Sequence, residues 1–366
     1  MKKVLPIFPL FIILIAALIF SKNASWENSQ KPIDKLSTSS TAQKSAEIKP
    51  PVPTLETIFS EKRADLSKLD QGKIIRLVAT GDVIPARGAN WPAVKSGNFN
   101  YNWEKTADYL KTADLTLVNL EAPLLKNCPL ATEGFTFCGD AQHIQGLLFA
   151  GVDVANITNN HIGNYGQVGI NETISLLETN GVEWSGFSRL AIKEIKGTKF
   201  GFLGYNGIGV KINREAMAKE ITESKKKVDV LVVSVHWGEE YVLVPDEDGN
   251  IAPDKPIEIG HLMIDSGADL VIGNHPHWVQ GVEFYKGGLI TYAHGNFIFD
   301  QTWSAETQEG VVGEYIFYEN RLVDVRYKPI VVDKSYQPIF VESERAAKIL
   351  NQVQSSSLEI KTLTQN

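Results

Sequence analysis

The sequence predicts an α/β protein in which sheets and helices form layers. Seven short apolar runs recur between residues 73 and 293, and segments with helical periodicity separate them. Alternation of this kind favours sheets covered by helices. The 366 residues, 43% of them hydrophobic, supply enough apolar material for a sizeable core.

The apolar runs predict buried strands, because they are short and carry few charges. They are KIIRLVAT (73–80), LTLVN (115–119), VDVANIT (152–158), KFGFLGY (199–205), VDVLVVSV (228–235), ADLVIG (268–273) and GLITYA (288–293). Residues 311–332 predict two or three further strands.

Helical periodicity predicts helices over 102–111, 140–150, 168–179, 213–227 and 256–266. Asp140 is predicted to cap the second of these helices, and Pro256 to begin the last. A helix over 341–352 is predicted to close the domain. The predicted organisation is an N-terminal segment (1–21), a flexible linker (22–72), one folded domain (73–340), and a C-terminal helix and tail (341–366).

The N-terminus has the pattern of an export element. Lys2 and Lys3 precede an apolar run from Val4 to Phe20, and no clear small-residue cleavage site follows it. The first interpretation is an uncleaved membrane anchor, and the second is a cleaved signal that leaves a secreted protein. Both place the body on the extracytoplasmic side.

Charge is distributed unevenly along the chain. Residues 1–50 carry a net charge of +4. Because the whole chain carries −7, residues 51–366 carry −11. An acidic body argues against nucleic acid as a partner. Contact with a polyanion would need a local basic patch or a bridging cation.

Two cysteines, Cys128 and Cys138, enclose a loop that contains Pro and Gly. In an exported chain this pair predicts one disulfide, with two free thiols as the alternative.

Polar motifs follow six of the predicted strands. Their polar residues are Asp82, Asn119, Glu121, Asn159, Asn160, His161, His236, Glu240, Asn274, His275, His277, His294 and Asn296. Strand carboxyl ends converge on one crevice in α/β sheets, and ligands bind there. A donor set of His, Asp, Glu and Asn without thiolate suits Zn, Mn or Fe, as one ion or a pair. The alternative is a set of buried polar groups that only satisfy the backbone.

The segment GNHPHWVQ (273–280) places two histidines on either side of one proline. Pro276 fixes its own φ and biases His275 away from the helical region. In an extended or turn segment, residues two apart project to the same side. Both imidazoles are therefore expected to reach one crevice.

Further candidates could contact an anionic substrate. Arg87 lies five residues beyond Asp82 and could bind an anionic group. The alternative interpretation is that Arg87 is an ordinary surface charge. Asn119, Glu240 and Asn296, from the motifs at the strand ends, complete the predicted substrate-binding set.

Five segments occur in a recognisable order: ATGDVIPARG, ADLTLVNLEAPL, NITNNHIGNYG, VVSVHWGEEY and GADLVIGNHPHWVQGVEFYKGGLITYAHGNFIFD. Over about residues 73–300 they resemble the bacterial poly-γ-glutamate capsule biosynthesis (CapA-like) family. That family is similar to the calcineurin-like metallophosphoesterases. The resemblance implies a metallophosphoesterase-like layered fold of two packed mixed β-sheets flanked by helices.

The resemblance also implies roles for individual residues. His161 would be the general acid, and the metal ligands would be Asp82, Glu121, Asn160, His236, His275 and His277. The sequence departs from the related patterns at four positions. Ile84 stands where phosphoesterases have His, and Glu121 where they have Asp. Asn164 stands where the capsule family has Asp, and His294 where it has an apolar residue.

The function that the resemblance implies is metal-assisted hydrolysis or transfer on an anionic surface polymer such as poly-γ-glutamate. The ion would polarise an amide or ester oxygen, and His161 would protonate the leaving group. A second hypothesis is a non-catalytic component that binds or transports the polymer beside membrane-bound synthase subunits. A third is a metallophosphatase unrelated to capsule.

Overall fold

The computed structural model describes residues 49–365. The predicted N-terminal anchor or signal lies outside the described residues, as does the linker up to residue 48. Within residues 49–365, no helix is both long and apolar enough to cross a membrane.

Helices in the described part of the chain cover the two sheets. They are α1 Leu55–Ile58, α2 Asn90–Ser96, α3 Ala107–Leu110, α4 His143–Phe149, α5 Gly166–Thr179, α6 Arg214–Lys225, α7 Pro256–Asp265, α8 Ala305–Gln308 and α9 Ser343–Gln365, with 3₁₀ turns at Gln71–Lys73, Arg87–Ala89 and Tyr101–Trp103.

The strands follow the predicted apolar runs and add several short segments between them. They are β1 Ile74–Val83, β2 Leu115–Leu120, β3 Leu124–Leu125, β4 Gly139–Asp140, β5 Val154–Asn156, β6 Glu183–Ser185, β7 Ala191–Ile195, β8 Thr198–Asn206, β9 Val230–His236, β10 Leu270–Asn274, β11 Val282–Tyr285, β12 Gly288–Thr291, β13 Asn296–Ile298, β14 Glu309–Tyr318, β15 Arg321–Val332 and β16 Pro338–Phe340.

Two mixed sheets form the centre of the fold. The larger has the order β16-β15-β14-β1-β2-β5-β6, with β13 beside β1, and the smaller has the order β11-β12-β10-β9-β8-β7. In the larger sheet β1, β2, β5 and β6 run parallel. In the smaller sheet β8, β9, β10 and β12 run parallel. The parallel strands bring their carboxyl ends to a common edge in each sheet.

The central strands are buried on both faces, which explains their continuous apolar sequences. In β1, Leu77 and Ala79 pack into the core between the sheets, while Val78 packs against the helices. In β9, Val232 faces the core between the sheets, and Val233 faces the outer helices. Successive residues point to opposite faces, so each strand joins two layers. Two packed mixed sheets flanked by helices confirm the expected layered fold.

Two helix predictions were wrong in detail. The predicted helix 102–111 is a 3₁₀ turn followed by α3, because the chain leaves the helical region at Thr106, where φ is −126°. Asp140 belongs to β4 and pairs with Leu125, so it does not cap α4. Its carboxylate instead accepts a hydrogen bond from the Gln142 backbone, just before α4 begins at His143.

Residues assigned to the linker contribute to the folded body. Ile58 of α1 is buried in the core between the sheets, and Leu69 is also buried. At the other end, α9 begins near the predicted position and continues to Gln365, with Ile349 and Val353 in the same core.

The predicted disulfide is confirmed. Cys128 and Cys138 are bonded and close the loop between β3 and β4.

Candidate metal centre

Strand register brings the polar motifs of the larger sheet side by side. Asp82 of β1 is level with Asn119 of β2, and Asn119 is level with Asn156 of β5. On the smaller sheet, His236 at the end of β9 is level with Asn274 at the end of β10. The two sets meet where the sheets pack, since His277 contacts Asp82 and His236 contacts Glu121.

Five predicted ligands form two overlapping groups. Asp82, Glu121 and His236 form one group, and Glu121, His275 and His277 form the other. In each group one ligand atom per residue lies within 4.8 Å of the others. Glu121 belongs to both groups, and every member is buried.

Asn160, the sixth predicted ligand, lies beside the first group. Its Oδ1 is 3.0 Å from Nε2 of His236, and its side chain is half-buried. It follows β5 by four residues, so the end of that strand positions it against His236 of the other sheet.

Several potential ligand atoms in this cluster have no hydrogen-bond partner within residues 49–365. They are Oε1 of Glu121, whose 3.2 Å contact with Nε2 of His236 is not a hydrogen bond, Nδ1 of His236, and both ring nitrogens of His275. Leaving a buried polar atom unpaired costs about 1–3 kcal/mol, so native structures rarely contain several together. A divalent cation would satisfy such atoms, and a set of imidazole and carboxylate donors fits Zn, Mn or Fe. The residues present therefore fit a metal ion.

The carboxylates of the site have opposite pKa shifts. Burial opposes ionisation of Asp82, but hydrogen bonds from His277 and Asn119 and the charge of His277 lower its pKa. Burial, followed by repulsion from Asp82, raises the pKa of Glu121 well above its ordinary value. One acid is held ionised, while the other lacks a countercharge that a cation would supply.

The pKa values of the histidines in the site are also shifted in opposite directions. Burial lowers the pKa of His236 to about 3 and holds that of His275 well below its ordinary value. Burial also opposes protonation of His277, but its hydrogen bond to Asp82 and the charge of Glu121 raise its pKa to about 9. Two neutral imidazoles are therefore available as ligands, and a metal would have to displace the proton on His277.

The two histidines beside Pro276 occupy an unusual turn. His275 has φ +100° and His277 has φ +58°, a region that residues other than glycine rarely adopt. The ring centroids are 5.8 Å apart, and both side chains reach the group that contains Glu121. Backbone strain of this kind is concentrated at functional sites. The predicted convergence of the two imidazoles is present in the structure.

Two predicted substrate-binding residues are buried beside the predicted metal ligands and do not lie at an open surface. The buried Asn119 side chain donates to Asp82 at 2.9 Å and to Glu121 at 3.3 Å. The buried Asn296 accepts at Oδ1 from Nδ1 of His277 at 2.9 Å. Because both amides are enclosed and hydrogen-bonded to predicted metal ligands, they hold the side chains of those residues in a fixed orientation.

The other two candidates lie closer to solvent. The Glu240 side chain is 39% exposed, with Oε1 3.8 Å from Nε2 of His275. The Arg87 guanidinium forms an ion pair with Asp300 and donates to the Gly134 carbonyl at 2.9 Å. Arg87 is thus already paired, so an anionic group would have to share it with Asp300.

His161 is half-buried beside the ligand groups. Its Nδ1 is 3.0 Å from Oδ1 of Asn164, and its ring lies 4.0 Å from the Phe137 ring. Burial is the main reason that its pKa is lowered to about 4. The imidazole is therefore neutral near pH 7, whereas the general acid implied by the resemblance requires a proton on it.

His294 does not belong to this cluster, although its motif follows a predicted strand. It is fully buried, with Nδ1 3.2 Å from the Thr80 carbonyl and Nε2 2.9 Å from the Tyr315 hydroxyl. Both ring nitrogens are satisfied by protein atoms. His294 is a core residue.

Two residues that contact the site, Asn156 and Phe137, are not among the candidates that the sequence predicts. Asn156 donates to Asn119 Oδ1 at 3.1 Å and so supports the residue that holds Asp82. Its position at the carboxyl end of β5 could have revealed it. Phe137 is in the disulfide loop, and no local pattern indicates that this loop reaches His161.

The fold and the site define an α/β protein with a buried histidine and carboxylate cluster that could hold a metal ion. The chain belongs to the bacterial capsule synthesis protein PGA_cap family, whose model matches residues 76–301.

Two curated relatives are similar over most of the described domain. The chain is 27% identical over 274 residues to the capsule biosynthesis protein CapA of Bacillus anthracis, covering 67% of this chain and 64% of the relative. It is 28% identical over 233 residues to the PGA biosynthesis protein CapA of Bacillus subtilis, covering 57% of this chain and 59% of the relative. The match therefore spans less than two thirds of either relative.

Solved structures give more distant similarities. A hypothetical protein from Thermus thermophilus has a TM-score of 0.47 at 18% identity, covering 70% of this chain and 98% of that one. A putative 5'-nucleotidase from Staphylococcus aureus has a TM-score of 0.42 at 15% identity, covering 77% of this chain and 58% of that one. Neither similarity bears on activity.

Proposed function

We propose that this protein is a metal-dependent hydrolase or transferase that acts on poly-γ-glutamate or a similar anionic polymer of the cell surface. The observation that carries the proposal is the set of buried, unpartnered ligand atoms on Glu121, His236 and His275. Membership of the capsule synthesis family supports the biological setting, and the names of the Bacillus relatives support the polymer.

The residues that would hold the ion are Asp82, Glu121, Asn160, His236, His275 and His277. A bound divalent ion would act as a Lewis acid toward an amide or ester oxygen. Asn119 keeps the carboxylates of Asp82 and Glu121 in place, and Asn296 orients the His277 ring. Fixed orientation of this kind limits the reorganisation that the ligands undergo when an ion binds.

His161 would move the proton in this reaction. Its neutral ring accepts a proton at Nε2 from the attacking group, and the resulting imidazolium then returns that proton to the leaving group. The general-acid role is thereby retained, but it follows an initial step as a base. The low pKa of the resting ring accounts for that order.

The polymer would approach an acidic protein. Residues 51–366 carry a net −11, and Arg87 is already paired with Asp300. Contact with a polyanion would therefore be bridged by the metal or by other cations. We also propose that the apolar N-terminal segment tethers the domain to the outer side of the cell membrane, where membrane-bound synthase subunits could be its neighbours.

The test is metal analysis of the purified full chain, followed by hydrolysis assays on poly-γ-glutamate and on generic phosphoesters. Turnover of the polymer that a chelator abolishes and added metal restores is the expected result. Phosphoester turnover without polymer turnover would favour a phosphatase unrelated to capsule. A protein that binds no metal would exclude the proposed chemistry.

A second candidate is a non-catalytic component that binds or transports the polymer. It is favoured by Ile84, which is fully buried beside Phe137 and Phe299 at a position where phosphoesterases supply a histidine. Fewer ligands would then serve the metal. Bound metal and polymer affinity without turnover would support this role.

A further inference from the structure

We infer that Asn164 and Phe137 are positioning residues that fix the proton of His161 on Nδ1, leaving Nε2 as a hydrogen-bond acceptor. We also infer that the Cys128–Cys138 disulfide maintains this arrangement. The use of Nε2 in turnover rests on the proposed function. The position of the proton is a property of the resting protein.

The first step is the orientation of the Asn164 amide. The Phe137 backbone N–H lies 2.6 Å from the Asn164 side-chain atom assigned as Oδ1. A backbone N–H can only donate, so the atom that it contacts must be the oxygen. The usual ambiguity between the amide oxygen and nitrogen is therefore resolved by the backbone.

The second step places the His161 proton. Nδ1 of His161 is 3.0 Å from the same Asn164 oxygen. Because that oxygen can only accept, Nδ1 must carry the hydrogen. A neutral imidazole has one N–H, so Nε2 is left with a lone pair. Within residues 49–365, Nε2 has no hydrogen-bond partner.

The third step is the ring packing that holds His161 in this orientation. The Phe137 ring lies 4.0 Å from the His161 ring at an interplanar angle of 30°. Phe137 is itself buried against Phe299, with centroids 5.6 Å apart, and under the Arg87 guanidinium at 4.7 Å. One residue thus contacts His161 through its ring and holds Asn164 through its backbone.

The loop that carries Phe137 has little packing of its own. Phe135 is 81% exposed and Leu130 is 46% exposed. The loop is fastened by the disulfide at its ends and by the hydrogen bond from Arg87 to Gly134. Because Cys138 directly follows Phe137, the covalent closure restrains the backbone N–H that orients Asn164.

This arrangement has a chemical consequence for the proposed reaction. Asn164 offers a neutral partner, which orients the imidazole without supplying the negative charge that would favour an imidazolium. A lone pair on Nε2 suits a group with an O–H or N–H to offer, such as the attacking water or an acceptor amine. Asn164 therefore favours the base step of His161 before the acid step.

The experiment is nitrogen NMR of the full chain labelled with ¹⁵N-histidine, with zinc as the added metal and near pH 7.5. The His161→Gln variant assigns the signal among the seven histidines. We expect wild-type His161 to show a protonated Nδ1 and an unprotonated Nε2. A protonated Nε2 with a bare Nδ1 in the wild type would overturn the inference directly.

Two variants of Asn164 sharpen the measurement. Asn164→Leu removes the acceptor, and we expect part of the His161 population to move its proton to Nε2. Asn164→Asp retains an acceptor oxygen and should keep Nδ1 protonated. The control is Asn171→Leu, which changes an exposed asparagine on α5 whose side chain accepts a hydrogen bond from Gln167. An unchanged tautomer in a folded Asn164→Leu protein would contradict the role of Asn164.

The disulfide is tested by the Cys128→Ser and Cys138→Ser double variant. We expect a mixture of His161 tautomers and a zinc content equal to that of the wild type. A single Nδ1–H tautomer in this variant would remove the disulfide from the inference. None of these readouts needs a substrate, so a failure of polymer hydrolysis would not affect them.

Discussion

Two of the buried polar clusters in residues 49–365, one around His294 and one at the strand ends, differ in how their atoms are satisfied. Around His294, the Thr80 carbonyl and Tyr315 hydroxyl bind both ring nitrogens, and Thr291 links Tyr315 to Tyr327. At the strand ends, ring nitrogens of His236 and His275 have no partner in the described part of the chain. Both clusters are almost inaccessible to solvent.

The difference shows that burial alone does not indicate a metal site. The His294 cluster has hydroxyl and carbonyl partners, so the protein completes its own hydrogen bonds. The strand-end cluster has two carboxylates, Asp82 and Glu121, and within residues 49–365 several of its buried polar atoms have no hydrogen-bond partner. Unpaired ligand atoms next to buried carboxylates are therefore the informative signal.

The largest expected effect is loss of metal from the strand-end cluster. The double change His275→Ala and His277→Ala removes two of three residues in one ligand group. We expect bound metal, measured by elemental analysis of the full chain, to fall from stoichiometric to background. Folding should persist, because the removed rings lie at the end of the core.

The matched control is His294→Gln in the other cluster, which should retain the metal of the wild type. Loss of metal from His294→Gln, or retention in the double variant, would contradict the division between the two clusters.

A smaller effect is expected when His161 is changed beside an intact metal site. His161→Asn should lower turnover by roughly 10²–10⁴-fold, the usual contribution of a proton-transferring side chain. Metal content and melting temperature should be almost unchanged, because His161 is half-buried and belongs to neither ligand group. A parallel loss of metal would instead make His161 a ligand. Unchanged turnover would favour the non-catalytic role.

Replacing one supporting residue in each cluster should lower metal affinity in the strand-end cluster and unfolding free energy in the His294 cluster. Asn119→Leu removes the amide that holds Asp82 and Glu121, so metal affinity should fall about 10–100-fold. Thr291→Val removes the hydroxyl that links Tyr315 and Tyr327, which should cost about 1–3 kcal/mol of unfolding free energy. Calorimetric metal titration and urea unfolding measure the two quantities. Equal metal affinities in the two variants would contradict the expected separation.

The sequence predicted the strand-end cluster because polar residues directly follow apolar runs. That pattern gives position along a strand, and parallel register then brings Asp82, Asn119 and Asn156 together. It could not reveal that His294 lies outside the cluster. Gly295 has φ +73°, so the alternation of side chains is broken between His294 and Asn296.

Long-range contacts were the other limit of sequence reasoning. The contact of Phe137 with His161 depends on a loop closed by a disulfide, and the burial of Ile58 depends on packing against strands that come later in the chain. Neither leaves a local periodic pattern. The main strands were predictable because burial on both faces gives each a continuous apolar sequence.

The smallest expected effect is a pH dependence that belongs to the His294 cluster. Burial lowers the pKa of His294 from its ordinary 6.5 to about 4. The unfolded chain therefore takes up a proton at this residue between pH 6.5 and 4, whereas the folded protein does not. The contribution of this residue to stability is complete above pH 6.5. As the pH falls, that contribution decreases by about 1.4 kcal/mol per pH unit until about pH 4.

His294→Gln cannot take up that proton, so its unfolding free energy should fall less steeply. Between pH 7.5 and pH 5, urea unfolding in the presence of chelator should show the wild type losing about 2 kcal/mol more than the variant. His143, whose pKa burial lowers to about 3, contributes equally to both proteins and cancels in the difference. Parallel pH profiles for the two proteins would show that His294 is protonated in the folded state, and the contrast between the two clusters would then fail.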